Sequence, residues 1–274
     1  MSIQMDVSEF PFCSEDNNVD AEDGYFEEIV LKDSWNEVIT GYYQYDQRFH
    51  RIKVKGRGTA LHVAVSNGIK DAVKQLVEAI LSPQWEWNDY DDDNETHPLR
   101  MRDEKGRTPL HIAAYRGFTD MCQCIIGKNG ERKNLVRTEN DNGETPIFWA
   151  VLGQQTDTFV YLRQFFPDDV YSVMDNHRKT ILHVAIRRDT FDLANIIMHC
   201  YSSISSKKDK DGVIPLQELA SRTSAFDSGN HLSWWKRIIS YCCFPVKYQD
   251  AKTTLKLIQK KLERSGKLSM NWLL

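Results

Sequence analysis

The stretch from Asp103 to Gly117 constrains the fold more than any other part of the chain. It runs from a polar turn around Gly106 into a Thr108-Pro109 pair, then an apolar run that ends at Gly117. Pro109 suits the first turn of a helix, where its missing N–H has no partner to lose, and Thr108 before it is a capping residue. Leu110, Ala113 and Ala114 fall on one helical face, and Gly117 supplies a left-handed residue to end the helix. Two turns of helix do not persist alone in water, so the stretch needs neighbours of its own kind.

The sequence supplies them. Thr59-Ala60-Leu61-His62, Thr145-Pro146-Ile147-Phe148 and Thr180-Ile181-Leu182-His183 repeat the pattern, and Ile214-Pro215-Leu216-Gln217 repeats it in degenerate form. The lead positions are 49, 37, 35 and 34 residues apart. Register extends beyond the motif. Twelve residues after each leading Thr stands an Asp (Asp71, Asp120, Asp157, Asp192), suited to the positive end of a second helix. Fourteen after stand Val73, Cys122, Phe159 and Ala194, and seventeen after stand Leu76, Ile125, Leu162 and Ile197, which read as that helix's buried face.

The Thr-Pro-Leu-His motif and a step close to roughly 33 residues resemble ankyrin repeats over about residues 50 to 225. The repeat spacing, the long acidic first insertion and Trp234-Trp235-Lys236 are also similar to plant ankyrin proteins of the accelerated-cell-death type. Those proteins usually end in a membrane domain marked Pro-Gly-Gly, a tripeptide this sequence lacks. The resemblance implies an all-α ankyrin-repeat solenoid with helical caps at both ends. It also implies a non-catalytic scaffold or adaptor for protein recognition, in signalling or in stress and defence responses.

In that family the His of the motif braces the turn of the neighbouring repeat, a role the resemblance gives to His62, His111 and His183. It places Glu104, Arg107, Asn142, Glu144, Asn176 and Lys179 at turn tips. On the inner helices it places Tyr115, Arg116, Leu152, Arg187 and Arg188. These line a concave face for an unnamed protein partner. Aromatic and Arg side chains are favoured anchors, which singles out Tyr115, Arg116, Arg187 and Arg188.

The flanks differ in charge. Residues 1–50 carry twelve Asp or Glu against Lys32 and Arg48, and residues 231–274 carry nine Lys or Arg against Asp250 and Glu263. Residues 1–22 lack periodicity and read as disordered. Phe26, Ile29 and Val30 then mark a helical face, and Ser34-Trp35-Asn36-Glu37 a capping box, so 23–50 form an N-terminal helical cap. The repeats occupy 51–225, interrupted by an acidic insertion near 82–102 with Trp85, Trp87 and Tyr90. Two readings of it are open: a contact arm for a basic partner, or a solvated loop whose aromatics rest on the adjacent repeat. Long insertions cost a fold little, which favours the loop. Residues 226–264 form a C-terminal helical cap and 265–274 a flexible tail.

Nucleophile elbow, zincin helix and dinucleotide fingerprint are absent, and Cys122 and Cys124 lack the second pair of a zinc site. No cofactor, metal or catalytic constellation is expected. Six cysteines without secreted spacing, and no signal peptide, suggest a cytoplasmic setting. The longest apolar stretch, Ile238 to Val246, is half of what a membrane helix requires. Cys242-Cys243, beside Trp235 and Lys236, fits either lipidation with peripheral membrane association or buried thiols of the cap. The basic tail reads as a solvated face rather than a nucleic-acid site, since the repeats are near neutral.

Overall fold

The computed structural model describes residues 19–44, 47–85, 97–165 and 173–221. They fall into two compact units, Met1–Glu104 and Lys105–Leu274.

The first unit opens with α1 (Val19–Leu31) and α2 (Trp35–Gln44). Helix α1 therefore includes residues 19–22, which the sequence reading assigned to a disordered segment. Glu22 is held there by an ion pair with Arg48. Phe26, Ile29 and Val30 are buried, and the Phe26 ring packs on Tyr42 of α2 and on Phe49. The carboxylate of Glu37 accepts the Tyr25 hydroxyl at 3.1 Å and so ties α1 to α2. After a 3-10 turn (Gln47–Arg51), β1 (Lys53–Val54) pairs antiparallel with β2 (Gly58–Thr59). Helices α3 (Ala60–Asn67) and α4 (Lys70–Ile80) follow, and α4 packs on α2. Of the acidic insertion, 97–102 are ordered against α4 by a 3-10 turn (Pro98–Arg100) with Leu99 buried. Trp85 meets His50 edge-on at 5.1 Å, while Trp87 and Tyr90 lie outside the described residues.

The second unit repeats one design. Helices α5 (Pro109–Arg116), α7 (Pro146–Leu152), α9 (Ile181–Arg187) and α11 (Pro215–Ala220) form a sequential stack, each on the next. Their partners α6 (Thr119–Ile126), α8 (Thr156–Arg163) and α10 (Phe191–Cys200) lie behind them. The expected register holds in detail. Asp71, Asp120, Asp157 and Asp192 lie in the first turns of α4, α6, α8 and α10. The eight residues fourteen and seventeen places after the threonines, from Val73 to Ile197, are fully buried. Burial pushes the Cys122 thiol well above its ordinary value, as befits a small hydrophobe in a core.

Each inner helix of the first four repeats ends identically. The residue nine places after the Thr takes the left-handed conformation: Gly68 at φ 75°, Gly117 at 77°, Gln154 at 61° and Asp189 at 55°. Its N–H reaches three residues back, and the next N–H reaches five back (Ile69 to Ala64, Phe118 to Ala113, Gln155 to Ala150, Thr190 to Ala185). This Schellman closure satisfies carbonyls that the short helices leave unbonded. Residue Gln154 adopts it with a side chain that costs about 1 kcal/mol. Replacing exposed Gln154 with Gly should raise unfolding stability by about 1 kcal/mol in urea titrations.

His50 is fully buried, with its ring stacked on Tyr42 at 4.4 Å and its Nε2 2.9 Å from the Tyr42 carbonyl. Burial, seconded by the nearby charges of Arg51 and His97, pushes its pKa down to about 4. The unfolded chain binds this proton near pH 6.5, whereas the folded state takes it only near 4. Stability contributed by neutral His50 is thus complete above pH 6.5 and is lost as pH falls toward 4. Between pH 7.5 and 5 the loss should be about 2 kcal/mol, and His50→Gln should remove that part of the slope.

Candidate protein-binding surface

Three turns of the second unit are built the same way. Asn140, Asp175 and Asp209 each stand five residues before a helix's lead position. The Oδ1 of Asn140 accepts the N–H of Asn142 and of Glu144, both at 2.9 Å. Asp175 does the same for His177 and Lys179 at 2.9 and 2.7 Å, and Asp209 for Asp211 and Val213 at 3.0 and 2.9 Å. The side chain thereby replaces a backbone acceptor and fixes the hairpin. Successive hairpins are joined edge to edge. Asn176 donates its N–H to the Asn142 carbonyl at 2.9 Å, and Lys210 donates to His177 at 2.9 Å. The approach is close enough that a Cβ on Gly143 would lie 2.2 Å from Asn176 Oδ1.

The turn delivers the chain to a buried threonine. Thr59, Thr108, Thr145 and Thr180 all have extended backbone, with ψ between 160° and 169°, and all are buried. Where the fourth residue is His, its Nδ1 accepts the Thr N–H at 3.1 Å (His62, His111) or 3.2 Å (His183). The other nitrogen then carries the proton. Nε2–H of His111 reaches the Glu144 carbonyl at 2.9 Å, and that of His183 reaches Val213 at 3.1 Å. For these two residues the bracing of the next turn is seen directly. Burial keeps the His183 pKa below its usual value, so the imidazole stays neutral as both bonds require. In the degenerate fifth copy the Gln217 Oε1 takes the His role by accepting the Ile214 N–H at 2.9 Å. Phe148 offers no such atom, and the third copy is buried by packing instead.

Seven residues after the lead position the inner helices reach the surface, whereas four residues after it Val63, Ile112 and Val184 are buried and Trp149 and Glu218 are half-buried. In two places of the second unit, residue seven of one repeat meets residue four of the next. Tyr115 packs on Trp149 with ring centroids 5.5 Å apart. Arg187 binds Glu218 through two hydrogen bonds of 3.0 and 2.9 Å. Trp149 is the hub of the first contact. The Arg107 guanidinium lies 5.5 Å from its ring centroid, the His111 ring stands perpendicular to it with centroids 6.0 Å apart, and its Nε1–H donates to Glu144 Oε2 at 2.9 Å.

Of the residues expected at the site, Arg107, Tyr115 and Glu144 are therefore brought together around Trp149. Glu144 turns inward, since the Oε2 that accepts Trp149 also accepts Asn140 Nδ2 at 2.8 Å. Arg116 and Arg188 are exposed at the ends of α5 and α9, and Leu152 is half-buried at the end of α7. Asn142, Asn176 and Lys179 sit on the hairpins, where their backbones carry the turn bonds. Glu104 belongs to the first unit and accepts the Gly56 N–H at 2.8 Å. Cys242 and Cys243 lie outside the described residues. The sequence reading overlooked Trp149 as a surface residue. Its signal was available, because the equivalent places hold Val63, Ile112 and Val184. A single Trp among aliphatic residues of one column marks a place where the column faces outward.

Paired helices, braced hairpins and a repeating lead threonine are the marks of one repeat class. The family model for ankyrin repeats, in three copies, matches residues 42–135 and 61–168. This is an ankyrin-repeat protein. Among relatives, it is 24% identical to Protein ACCELERATED CELL DEATH 6 of Arabidopsis thaliana over 167 residues, covering 57% of this chain and 24% of the relative. It is 34% identical to human Protein phosphatase 1 regulatory subunit 27 over 87 residues, 32% of this chain and 44% of the relative. It is 29% identical to a probable 26S proteasome regulatory subunit of Saccharomyces cerevisiae over 125 residues, 45% of this chain and 53% of the relative. The chain thus spans between about a quarter and about half of the length of these relatives.

The Tyr115–Trp149 contact should show in a double-mutant cycle. With Tyr115→Ala, Trp149→Ala and the double variant, urea unfolding should give a coupling of about 1 kcal/mol.

Proposed function

We propose that this chain is a non-catalytic adaptor that holds a protein partner on the inner-helix face of its second unit. The observation that carries the reading is the Trp149 cluster. A Trp, a Tyr and an Arg, the residue types that dominate binding hot spots, converge on a face whose backbone bonds are already satisfied. Tyr115 is 40% exposed, unusual for so large a side chain fixed by a rigid neighbour. The imidazoles that would attract a catalytic reading are engaged in capping and bracing.

The likeness to Protein ACCELERATED CELL DEATH 6 supports a place in signalling or defence, and the likeness to two regulatory subunits supports an adaptor's role. No helix among the described residues is long and apolar enough to cross a membrane. We place the working protein in the cytoplasm; the alternative is a regulatory component held at a membrane surface by lipidation of Cys242 and Cys243 or through a membrane-bound relative.

The experiment is cross-linking capture from the native cells, comparing wild type with Tyr115→Ala/Arg188→Glu. Tyr115→Ala gives up the ring contact with Trp149, so the melting temperature should fall by only a few degrees and the variant stays folded during capture. Arg187 is left intact because its reversal would also strand Glu218. The proteins captured by wild type should fall at least tenfold in yield with the variant. Undiminished capture would overturn the assignment of this face.

A further inference from the structure

We infer that the hairpins of the second unit carry a separate peptide site, a cavity that takes an extended segment with a basic and an acidic side chain two residues apart. The cavity measures about 430 Å³ and is lined by Glu139, Met174, Asp175, Asn176, Arg178 and Lys207. None of these residues lies on α5, α7, α9 or α11, so the site is distinct from the inner-helix face, and neither reading needs the other. Arg178 is what singles the cavity out. Two residues before the lead position, the other repeats of the second unit hold Gly106, Gly143 and Gly212 at φ 70°, 72° and 78°. Arg178 stands in that place at φ 57°, a left-handed conformation that is costly to an L side chain and not to glycine. Strain alone marks no site, since Gln154 bears it at a helix end. The Arg178 side chain, however, lines the cavity and makes no ion pair among the described residues. Glu139 and Lys207 are equally unpaired among them.

The lining sets the chemistry of the ligand. Two acids, Glu139 and Asp175, stand with two bases, Arg178 and Lys207. A ligand of one sign would be repelled by as many groups as attract it. An apolar ligand would strip water from four charged groups and replace none of it. A ligand carrying both signs satisfies the set. Asp175 already accepts two N–H groups through Oδ1 and its charge also acts on Arg187, so Glu139 is the carboxylate left for an incoming cation. Glu139 precedes the Asn140 hairpin, Arg178 lies in the Asp175 hairpin and Lys207 precedes the Asp209 hairpin. Charge therefore changes sign along the stack, from acid at Glu139 to base at Lys207. The volume is near the lower end of ligand sites, about 300 to 1,000 Å³, and admits a few side chains rather than a folded element. In an extended chain, side chains two residues apart share a face about 7 Å apart, which places a Lys or Arg toward Glu139 and an Asp or Glu toward Arg178 and Lys207.

A twelve-residue peptide display library, selected on the full chain and depleted on its Arg178→Gly variant, tests this. Arg178→Gly relieves the left-handed residue, so it should melt no lower than wild type while losing the ligand. The enriched pool should carry Lys or Arg two residues from Asp or Glu. A synthetic peptide from that pool, followed by fluorescence polarisation, should bind at least tenfold more weakly to Glu139→Gln and to Lys207→Gln, neither of which enters the selection. Its affinity for Tyr115→Ala should equal that for wild type. A pool of one sign, affinity indifferent to Glu139→Gln or to Lys207→Gln, loss of affinity with Tyr115→Ala, or no enrichment overturns the inference. A lower melting temperature for Arg178→Gly would make Arg178 a structural residue and overturn it as well. Failure of the adaptor reading shows separately, in native capture that the Tyr115→Ala/Arg188→Glu change leaves undiminished.

Discussion

Helices of six to eight residues leave most of their end groups unbonded, and in this chain those ends are buried where water cannot reach them. Thr108 is 2% exposed and Thr180 is fully buried, so each orphan N–H needs a partner within the protein. One side chain supplies much of it. The neutral imidazole of His111 takes an N–H from its own cap and gives one to the Glu144 carbonyl of the following hairpin. Helix initiation in one repeat is thereby coupled to turn geometry in the next. The same imidazole serves a local and a long-range bond, which is why a repeat too short to fold singly becomes ordered beside its neighbour.

Much of this was legible because the chemistry is confined to few residue types at fixed intervals. Only a capping residue suits an extended, buried lead position, and an Asp twelve places later meets the positive end of the second helix. Other elements escaped. Asn140, Asp175 and Asp209 are as regular as the threonines, yet read singly they are ordinary polar turn residues, and only their shared bonding reveals a device. The left-handed closure was visible at Gly117 but hidden at Gln154 and Asp189, where neighbouring structure overrides backbone preference. The start of α1 at Val19 was missed for a related reason. Acidic composition argued for disorder, while the Glu22–Arg48 pair, which contributes to holding that turn, joins residues far apart in sequence.

The candidate site was less legible than the fold. The expected tips and inner-helix places are where the register puts them, but the register does not say which charges are already satisfied. Glu144 and Arg187 look like free surface charges in the sequence. In the structure one is turned to Trp149 and the other is clamped by Glu218. Both facts depend on contacts between repeats, which no single-repeat pattern contains.

Those contacts follow a rule that links stability to recognition. In the second unit residue seven of one repeat neighbours residue four of the next twice, filled by two aromatics in one instance and by an ion pair in the other. The backbone bonds that hold the stack do not use these side chains. Their identity can therefore change without cost to the caps and hairpins, and they remain available to a ligand. Exposed ion pairs contribute little to stability, whereas a packed Tyr–Trp pair with an overlying Arg contributes both rigidity and contact area. A partner meeting Tyr115 and Trp149 finds them already ordered by Arg107, His111 and Glu144. Less side-chain entropy remains to be lost on binding there than at a mobile loop. Under the adaptor reading proposed above, rigidity imposed for folding doubles as preorganisation for recognition, through Trp149 in particular.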